Sequence, residues 1–281
     1  MVTTDVLVEG VHFRRDWSSG YDIGRKAAAQ NLADVVAMGA RPTAIVVGLA
    51  SPPDLSLDWA DELVDGLQDE CALVGAGLAG GDVVRGDAVT IAVTAIGDLA
   101  GRPPVTRGGA RPGDAVVVVG QLGYAAAGLD LLRAGLREPL PLVEAHQRPR
   151  APYDAGLLLA AAGATAMIDV SDGLVADLGH VAAASGVRIE LESAALPVTD
   201  ELVQAGARLD VDPLSWVAGG GEDHAFAATL PAGDVDQVVA RLAWLRAPVP
   251  FARIGKVCAG EAAVVFTDAT PPSTKGHDHF A

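Results

Sequence analysis

Apolar strands and amphipathic helices alternate along most of this 281-residue chain, and that alternation restricts the fold more than any other feature. The first third of the sequence predicts an opening strand, a helix over residues 23–40, the strand TAIVVGLA, a second helix that ends at Gly75, and the strand AVTIAVTAIG. Such an order is typical of sheets covered by helices. We therefore predict an α/β (α+β) fold with mixed sheets and packed helices.

A segment crowded with Gly, Pro and Arg, GDLAGRPPVTRGGARPG at residues 97–113, interrupts the alternation once. This composition is typical of a connection between two packed units, and the chain is longer than one compact domain usually is. We predict an N-terminal domain over 1–107 and a C-terminal α/β domain over 108–281. Beyond the connection, helices are predicted near 124–135, 153–163, 199–206 and 233–245, and strands near 187–191, 250–256 and 262–267.

The net charge of the chain limits which partners the protein can bind. The formal net charge is -16 and the basic residues are scattered, which argues against nucleic acid or an anionic membrane as a partner. The two cysteines lie far apart and no apolar run approaches the roughly 20 residues of a membrane span, so a cytoplasmic protein is expected. The acidity fits either a biased genome composition or a need to gather carboxylates around divalent cations.

The segment IDVSDGL carries the most information about chemistry. A strand ends at Asp169, and Ser171 and Asp172 follow at the entrance of a helix. Helix N-termini attract anions, and a metal held by both aspartates would allow a phosphate to bind at the same turn. Alternatively, Ser171 or Asp172 caps the helix, which is a common role for both residue types.

Further carboxylates lie in apolar or glycine-rich surroundings. Asp5 begins the first strand, Asp34 lies in the apolar first helix, and Asp82 follows Gly81 in a predicted loop. Each has an ordinary alternative, as a solvent-facing residue or part of a turn. Together with the aspartates of IDVSDGL they form a set of oxygen ligands that suits Mg²⁺ better than zinc. No P-loop motif is present, so any nucleotide would be bound by metals and glycine-rich turns.

The segment GGGEDHAF is a second candidate for ligand binding. Three glycines allow the backbone to bend around a ligand while Glu222 presents a carboxylate. The same glycines could equally form a flexible turn.

Seven segments occur in order along the chain: TTDVLVEGVHF, NLADVVAMGA, GGDVVRG, RGGARPGD, IDVSDGLVADLGH, GGGEDH and KGHDHF. Together they resemble the thiamine-monophosphate kinase family, in the superfamily of ATP-dependent enzymes that includes aminoimidazole ribonucleotide synthetase and selenophosphate synthetase. The resemblance runs from residue 3 to residue 280. It implies transfer of the γ-phosphoryl group of ATP to thiamine monophosphate with the help of several Mg²⁺ ions. It also implies a homodimer whose N-terminal domains pair their sheets.

The resemblance further implies roles for individual residues: Mg²⁺ ligation by Thr3, Thr4, Asp5, Asp34, Asp82, Asp169 and Asp172; ATP binding by Gly81, Asp82, Arg107 and Ser171; and contact with thiamine monophosphate by His12, Glu222 and His277. Two positions depart from the family pattern. His224 follows GGED where the family has Tyr, and His277 stands where the family has Tyr or Trp. Because histidine can still stack on a ring, these changes bear on substrate affinity.

Family members carry an additional N-terminal segment with a Gly-Asp-Asp motif ahead of the position of Met1. We therefore expect either a start codon further upstream or a shortened protein that lacks part of the metal cluster. Two alternatives to the kinase stay open: a non-catalytic Mg-nucleotide-binding protein, and a sibling enzyme of the superfamily. Selenophosphate synthetase is disfavoured among the siblings because this chain has no reactive cysteine near Met1.

Overall fold

The computed structural model describes residues 1–268, which form two units of mixed α/β structure. Unit 1 comprises Met1–Val36, Ala40–Pro103 and Gln147–Pro149, and unit 2 comprises Ala37–Gly39, Pro104–His146 and the described chain from Arg150 onward. The predicted fold class is confirmed. Residues 104–107, which the sequence analysis assigned to the N-terminal domain, lie in unit 2.

Unit 1 is built on one sheet. Its elements are β1 (Val2–Val8), α1 (Gly20–Ala37), β2 (Arg41–Ser51), α2 (Leu57–Val74), β3 (Gly77–Arg85) and β4 (Thr90–Asp98). The strand order is β1-β4-β2-β3, with β3 parallel to β2 and the other neighbours antiparallel. Local signals set the helix ends: the Ser56 hydroxyl accepts a hydrogen bond from the Trp59 N–H at the start of α2, and Gly75 ends α2 at a φ of +70°.

The predicted loop around Gly81 and Asp82 is wrong, because residues Gly77–Arg85 form β3 at the edge of the sheet. A side chain on Gly81 would overlap the carbonyl oxygen of Val47 on β2, so this pairing requires glycine. The sequence did not predict β3 because a glycine-rich segment lacks the apolar alternation by which strands are identified.

The two faces of this sheet differ. On the face that packs against the helices, Leu7, Ile45 and Ile91 are fully buried, and Val35 of α1 lies against Gly97. The opposite face carries apolar side chains that are 39–66% exposed in the single chain: Val2, Val6, Val46, Val84 and Ile96. The strand register places these five residues on one side.

Unit 2 contains a larger sheet. Its elements are β5 (Asp114–Val119), α3 (Tyr124–Arg133), α4 (Leu140–Gln147), α5 (Tyr153–Ala161), β6 (Ala166–Asp169), α6 (Leu174–Ser185), β7 (Arg188–Leu191), α7 (Asp200–Leu209), α8 (Pro213–Gly219), β8 (Phe226–Pro231), α9 (Val235–Leu242), β9 (Phe251–Cys258) and β10 (Ala263–Phe266). The strand order is β10-β7-β9-β5-β8-β6; β10 and β7 are parallel, and the other neighbouring pairs are antiparallel.

Three elements of unit 2 were not predicted from the sequence: α4, α8 and β8. Both helices have eight residues or fewer, too short for a clear helical periodicity. In β8 the residues 226–230 are all buried, so the strand has no polar alternation to reveal it. Among residues 1–268, no helix combines the length and the apolar character that crossing a membrane requires.

Glycines allow α1 and α2 to pack backbone against backbone. A Cβ on Gly24 would overlap the carbonyl oxygen of Leu63, and a Cβ on Gly66 would overlap that of Tyr21. A side chain at this crossing would therefore clash with backbone atoms of the other helix, which cannot rotate away as a side chain could.

We expect Gly66→Ala to destabilise unit 1 by about 1 to 3 kcal/mol, because the new methyl group forces the two helices apart. Gly179→Ala is the matched control: Gly179 lies inside α6, and apart from the adjoining backbone of α6 no atom lies within 4 Å of the position that its Cβ would take, so alanine should be neutral or stabilising by up to about 1 kcal/mol. Urea unfolding followed by circular dichroism measures both. Equal unfolding midpoints for the two variants would contradict the close packing.

Candidate functional site

The helix-facing side of β1 gathers polar groups of unit 1. The Thr3 hydroxyl donates a hydrogen bond of 2.7 Å to Asp34 Oδ2 on α1. Asp5 lies two residues further along β1 and therefore on the same face as Thr3. The structure thus brings Thr3 and Asp34 into contact and places Asp5 on their side of the sheet, as a set of oxygen ligands requires.

Thr4 lies on the other face. Its hydroxyl donates to the carbonyl oxygen of Val93 at 3.0 Å and accepts from the Thr94 hydroxyl at 3.1 Å. The Thr4 hydroxyl is therefore not brought together with Thr3 and Asp34, because neighbouring residues of a strand point to opposite sides. A metal-binding role for Thr4 stays a prediction.

Gly81 and Asp82 lie on β3, at the opposite edge of the sheet from β1. Asp5 pairs with Val93, Val93 with Val47, and Val47 with Gly81, so one row crosses all four strands. Three strand spacings of about 4.8 Å place the backbones of Asp5 and Gly81 roughly 14 Å apart. Within one chain, the register does not bring Asp82 next to the ligands on β1.

His12 follows β1 and is held by contacts with β1 and α1. The Val8 N–H donates to His12 Nδ1 at 3.0 Å, so in this arrangement the imidazole proton is on Nε2. The buried Lys26 on α1 donates from Nζ to the carbonyl oxygen of His12 at 3.1 Å. Through its Nε2–H, His12 has a donor suited to an anionic oxygen.

In unit 2, the segment from Asp169 to Gly173 forms a turn, here called the acidic turn, between β6 and α6. Asp169 ends β6 and is 3% exposed, while Ser171 and Asp172 are half-buried in the turn. Gly173 has a φ of +119°, and a Cβ there would lie 2.6 Å from the carbonyl oxygen of Gly219. The sharp turn from strand to helix thus depends on glycine at this position.

Asp177, on the first turn of α6, organises the acidic turn and was missed from the sequence. Its Oδ2 accepts hydrogen bonds from the backbone N–H groups of Ser171, Asp172 and Gly173 at 3.0, 3.1 and 3.1 Å. Because Asp177 occupies these N–H groups, a phosphate at this turn would depend on side chains and on the metal that the sequence predicted between Asp169 and Asp172. The sequence feature that could have identified Asp177 is its place beside Leu178, as an acidic residue on the apolar side of α6.

The surroundings of Asp177 fit a divalent cation. Burial, together with the negative charges of Asp169 and Asp172, raises the pKa of Asp177 to about 7. A cation among these carboxylates would relieve that repulsion. Ligand atoms of Asp172, Asp177 and His180 lie within 4.8 Å of one another, and the carboxylate oxygens suit a hard cation such as Mg²⁺.

The GGGEDH loop is bound to the acidic turn by backbone hydrogen bonds. The Glu222 N–H donates to the Ser171 carbonyl oxygen at 2.8 Å, and the His224 N–H donates to the Val170 carbonyl oxygen at 2.9 Å. In return, the Val170 N–H donates to the Ala225 carbonyl oxygen at 2.7 Å. The two segments that the sequence analysis singled out separately therefore form one paired structure.

Asp223 anchors the loop to the start of α3, a role that the GGGEDHAF motif did not reveal. Its two carboxylate oxygens accept hydrogen bonds from the N–H groups of Gly123 and Ala125, at 2.5 and 2.9 Å, where α3 begins. Burial raises the pKa of Asp223 to about 7, although these hydrogen bonds act in the opposite direction.

Two histidines contact the carboxylates of this paired structure. His224 Nδ1 lies 3.1 Å from Asp169 Oδ2, with both side chains buried. His146 on α4, which was not predicted, has its Nδ1 3.4 Å from Glu222 Oε2. Each histidine limits the orientations open to a carboxylate that the family resemblance assigns to metal or substrate.

The remaining predicted residues fall outside these contacts. The Arg107 side chain is exposed, and its carbonyl oxygen accepts a 2.8 Å hydrogen bond from the Ser185 hydroxyl, at the end of α6. The nucleotide role of Arg107 stays a prediction. His277 lies outside the described residues.

Family models match both parts of the chain: AIR synthase related protein, N-terminal domain, over residues 1–99, and AIR synthase related protein, C-terminal domain, over residues 111–268. The thiamine-monophosphate kinase of Mycobacterium tuberculosis is 51% identical over 238 residues, 83% of this chain and 72% of that protein. The thiamine-monophosphate kinase of Aquifex aeolicus is 34% identical over 284 residues, 100% of this chain and 88% of that protein.

The solved structure of AaThiL complexed with AMPPCP and TMP superposes with a TM-score of 0.88 at 34% sequence identity, covering 99% of this chain and 86% of that one. The resemblance seen in the sequence motifs is thereby confirmed at the level of the fold. On these matches, which span the described residues from end to end, the chain belongs to the thiamine-monophosphate kinase family.

Proposed function

We propose that this protein transfers the γ-phosphoryl group of ATP to the phosphate of thiamine monophosphate, giving thiamine diphosphate and ADP. The observation that carries this proposal is the pairing of the acidic turn with the Glu222 loop, in a chain that shares its fold with a relative that binds AMPPCP and TMP. Within unit 2, this pairing holds groups suited to a nucleotide next to a group suited to its acceptor.

The reaction needs little covalent chemistry from the protein. An oxygen of the acceptor phosphate attacks the γ-phosphorus in line, the bond from that phosphorus to the bridging oxygen of ADP breaks, and ADP leaves. The protein must hold two anionic groups close together and exclude water. Rigid loops with fixed donors suit this task.

Each unit offers oxygen ligands for Mg²⁺: Asp5 and Asp34 in unit 1, and Asp169 and Asp172 in unit 2. Mg²⁺, when bound there, would neutralise the charge on the phosphate oxygens. The fit rests on the crowding of Asp169, Asp172 and Asp177, whose negative charges repel one another. Thr3 would hold Asp34 in orientation through its hydrogen bond.

We assign the contacts with the two substrates from the hydrogen-bond donors and charged groups of the site. The Ser171 hydroxyl and the Arg107 guanidinium would bind the nucleotide, and the His12 Nε2–H would donate to the phosphate of thiamine monophosphate. Glu222, aligned by His146, would face the thiamine portion, whose thiazolium ring is cationic.

We also propose that the protein acts as a homodimer. The exposed apolar face of the unit 1 sheet, defined by Val2, Val6, Val46, Val84 and Ile96, is a surface that a second copy would cover. Within one chain, β1 and β3 lie at opposite edges of the sheet and cannot bind the same cation or nucleotide. A second copy would bring its own Gly81 and Asp82, on its β3, for such a ligand.

A cytoplasmic location completes the proposal. Cys71 and Cys258 are both thiols rather than a disulfide, as is usual in a reducing compartment.

We expect the purified chain to form thiamine diphosphate from ATP and thiamine monophosphate in the presence of Mg²⁺, and to lose this activity when EDTA removes the metal. Product formation is measured by chromatography and ADP release by a coupled assay. Binding of Mg-AMPPCP by calorimetry without any turnover would instead support the non-catalytic alternative.

Asp34→Asn and Asp169→Asn should each lower kcat/KM by roughly 100-fold or more, because each removes the charge of a proposed cation ligand. Asp98→Asn, at the exposed end of β4, and Asp236→Asn, on the exposed side of α9, are the matched controls and should keep wild-type rates. Normal turnover in either ligand variant, with the fold checked by circular dichroism, would refute the ligand assignment.

Val6→Glu should convert the protein from a dimer to a monomer, because it places a charge in the centre of the apolar face. Val64→Glu changes an exposed valine on α2 of the same unit and should leave the dimer intact. Light scattering after size-exclusion chromatography gives the mass of each variant. A monomeric wild type at micromolar concentration would overturn the proposed dimer.

A further inference from the structure

We propose that Asp223 is a positioning residue for the acceptor substrate: by fixing the GGGEDH loop to the start of α3, it aims the Glu222 carboxylate. This inference rests on the proposed function, in which Glu222 contacts the thiamine portion of the substrate. Asp223 itself does not touch the substrate, because its side chain is buried on the α3 side of the loop.

Both oxygens of Asp223 are engaged by backbone groups. Gly123 and Ala125 donate their N–H groups at 2.5 and 2.9 Å; Gly123 is the N-cap residue of the ten-residue helix α3, and Ala125 lies in its first turn. Helix N–H groups at this position have no partner within the helix, so the carboxylate and the helix start satisfy one another. The contact joins residues 100 positions apart in the sequence.

The residues on either side of Asp223 have a backbone conformation that few side chains adopt. Glu222 has a φ of +66° and His224 a φ of +51°. Such conformations persist only where the surroundings determine the chain path several times over. Here the path is set by the Asp223 carboxylate and by the backbone hydrogen bonds to Val170 and Ser171.

This backbone path sets the directions in which the Glu222 and His224 side chains point. With Asp223 pointing to α3, Glu222 Oε2 comes to 3.4 Å from His146 Nδ1, and His224 Nδ1 comes to 3.1 Å from Asp169 Oδ2. The backbone bonds to Val170 and Ser171 hold the loop against the acidic turn. The Asp223 carboxylate adds a further attachment between Glu222 and His224, on the α3 side of the loop.

Removal of the Asp223 carboxylate leaves two buried N–H groups at the start of α3 without an acceptor, and the loop is no longer anchored there. Asparagine at this position supplies one acceptor oxygen but sets an amide N–H₂ against the second N–H group. Asp223→Asn should therefore keep part of the anchoring that Asp223→Ala loses.

The test is steady-state kinetics of both variants with each substrate varied in turn. We expect Asp223→Ala to raise the KM for thiamine monophosphate by roughly 10- to 100-fold while the KM for ATP stays within about twofold, because only the acceptor contact is misplaced. Asp223→Asn should show the same selectivity with a smaller increase. A loss of folded protein alone would lower kcat and leave both KM values unchanged, and Asp223→Asn still tests the inference if Asp223→Ala fails to fold.

A double-mutant cycle with Glu222→Gln shows whether Asp223 acts through Glu222. The combined variant Glu222→Gln/Asp223→Asn should have nearly the KM for thiamine monophosphate of Glu222→Gln alone, because the anchor has no effect once the group it aims is changed. Asp212→Ala is the matched control: Asp212 caps α8 by accepting from the Leu214 N–H, at an exposed site, and its loss should leave both KM values unchanged.

The outcomes separate this inference from the proposed function. Equal increases in the KM for both substrates, or additive effects in the cycle, would overturn the positioning role of Asp223. If Glu222→Gln raises the KM for thiamine monophosphate and Asp223→Asn does not, the inference fails and the proposed function stands. If the wild-type protein forms no thiamine diphosphate, the proposed function itself fails.

Discussion

The structure of unit 2 around its candidate site depends on one arrangement: buried carboxylates that bind backbone N–H groups. Asp177 accepts from three consecutive N–H groups of the acidic turn, and Asp223 accepts from two at the start of α3. Each carboxylate gains hydrogen bonds that offset part of the cost of burial, and each fixes a loop that could not hold its shape alone. The groups that would bind a ligand, such as Glu222, are placed by these contacts.

Unit 1 positions its groups by strand geometry instead. Because side chains alternate along β1, Thr3 and Asp5 share a face with Asp34 of α1, while Thr4 faces the apolar side. The same alternation yields a sheet with one face under the helices and one apolar face exposed in the single chain, and the strand order separates β1 from β3. The helix-facing side of these strands thus carries Thr3 and Asp5, and the opposite side carries Thr4 and the proposed dimer surface.

Much of the fold could be predicted wherever a segment shows a clear period. The helix α1, with its terminating Gly39, and the alternating strand β4 were identified from pattern alone, and so was the turn from β6 into α6. The strand β3 was missed because its glycines hide its period, and β8 because it is buried on both faces. For the candidate site, residue type and motif pointed to Asp34, Asp169 and Asp172, whereas Asp177, His146 and the anchoring role of Asp223 came only from the folded chain.

The sequence by itself determined which chemistry the chain can offer, namely carboxylate oxygens at strand and helix ends, and through its ordered motifs it identified the family. Only the tertiary structure decided which of those groups meet. The physical reason is that hydrogen bonds such as those from Ser171, Gly123 and Ala125 join residues brought together by packing, at separations from 6 to 100 positions along the chain. No local pattern records that the N–H groups of the acidic turn are already occupied, or that Thr4 points away from its neighbours.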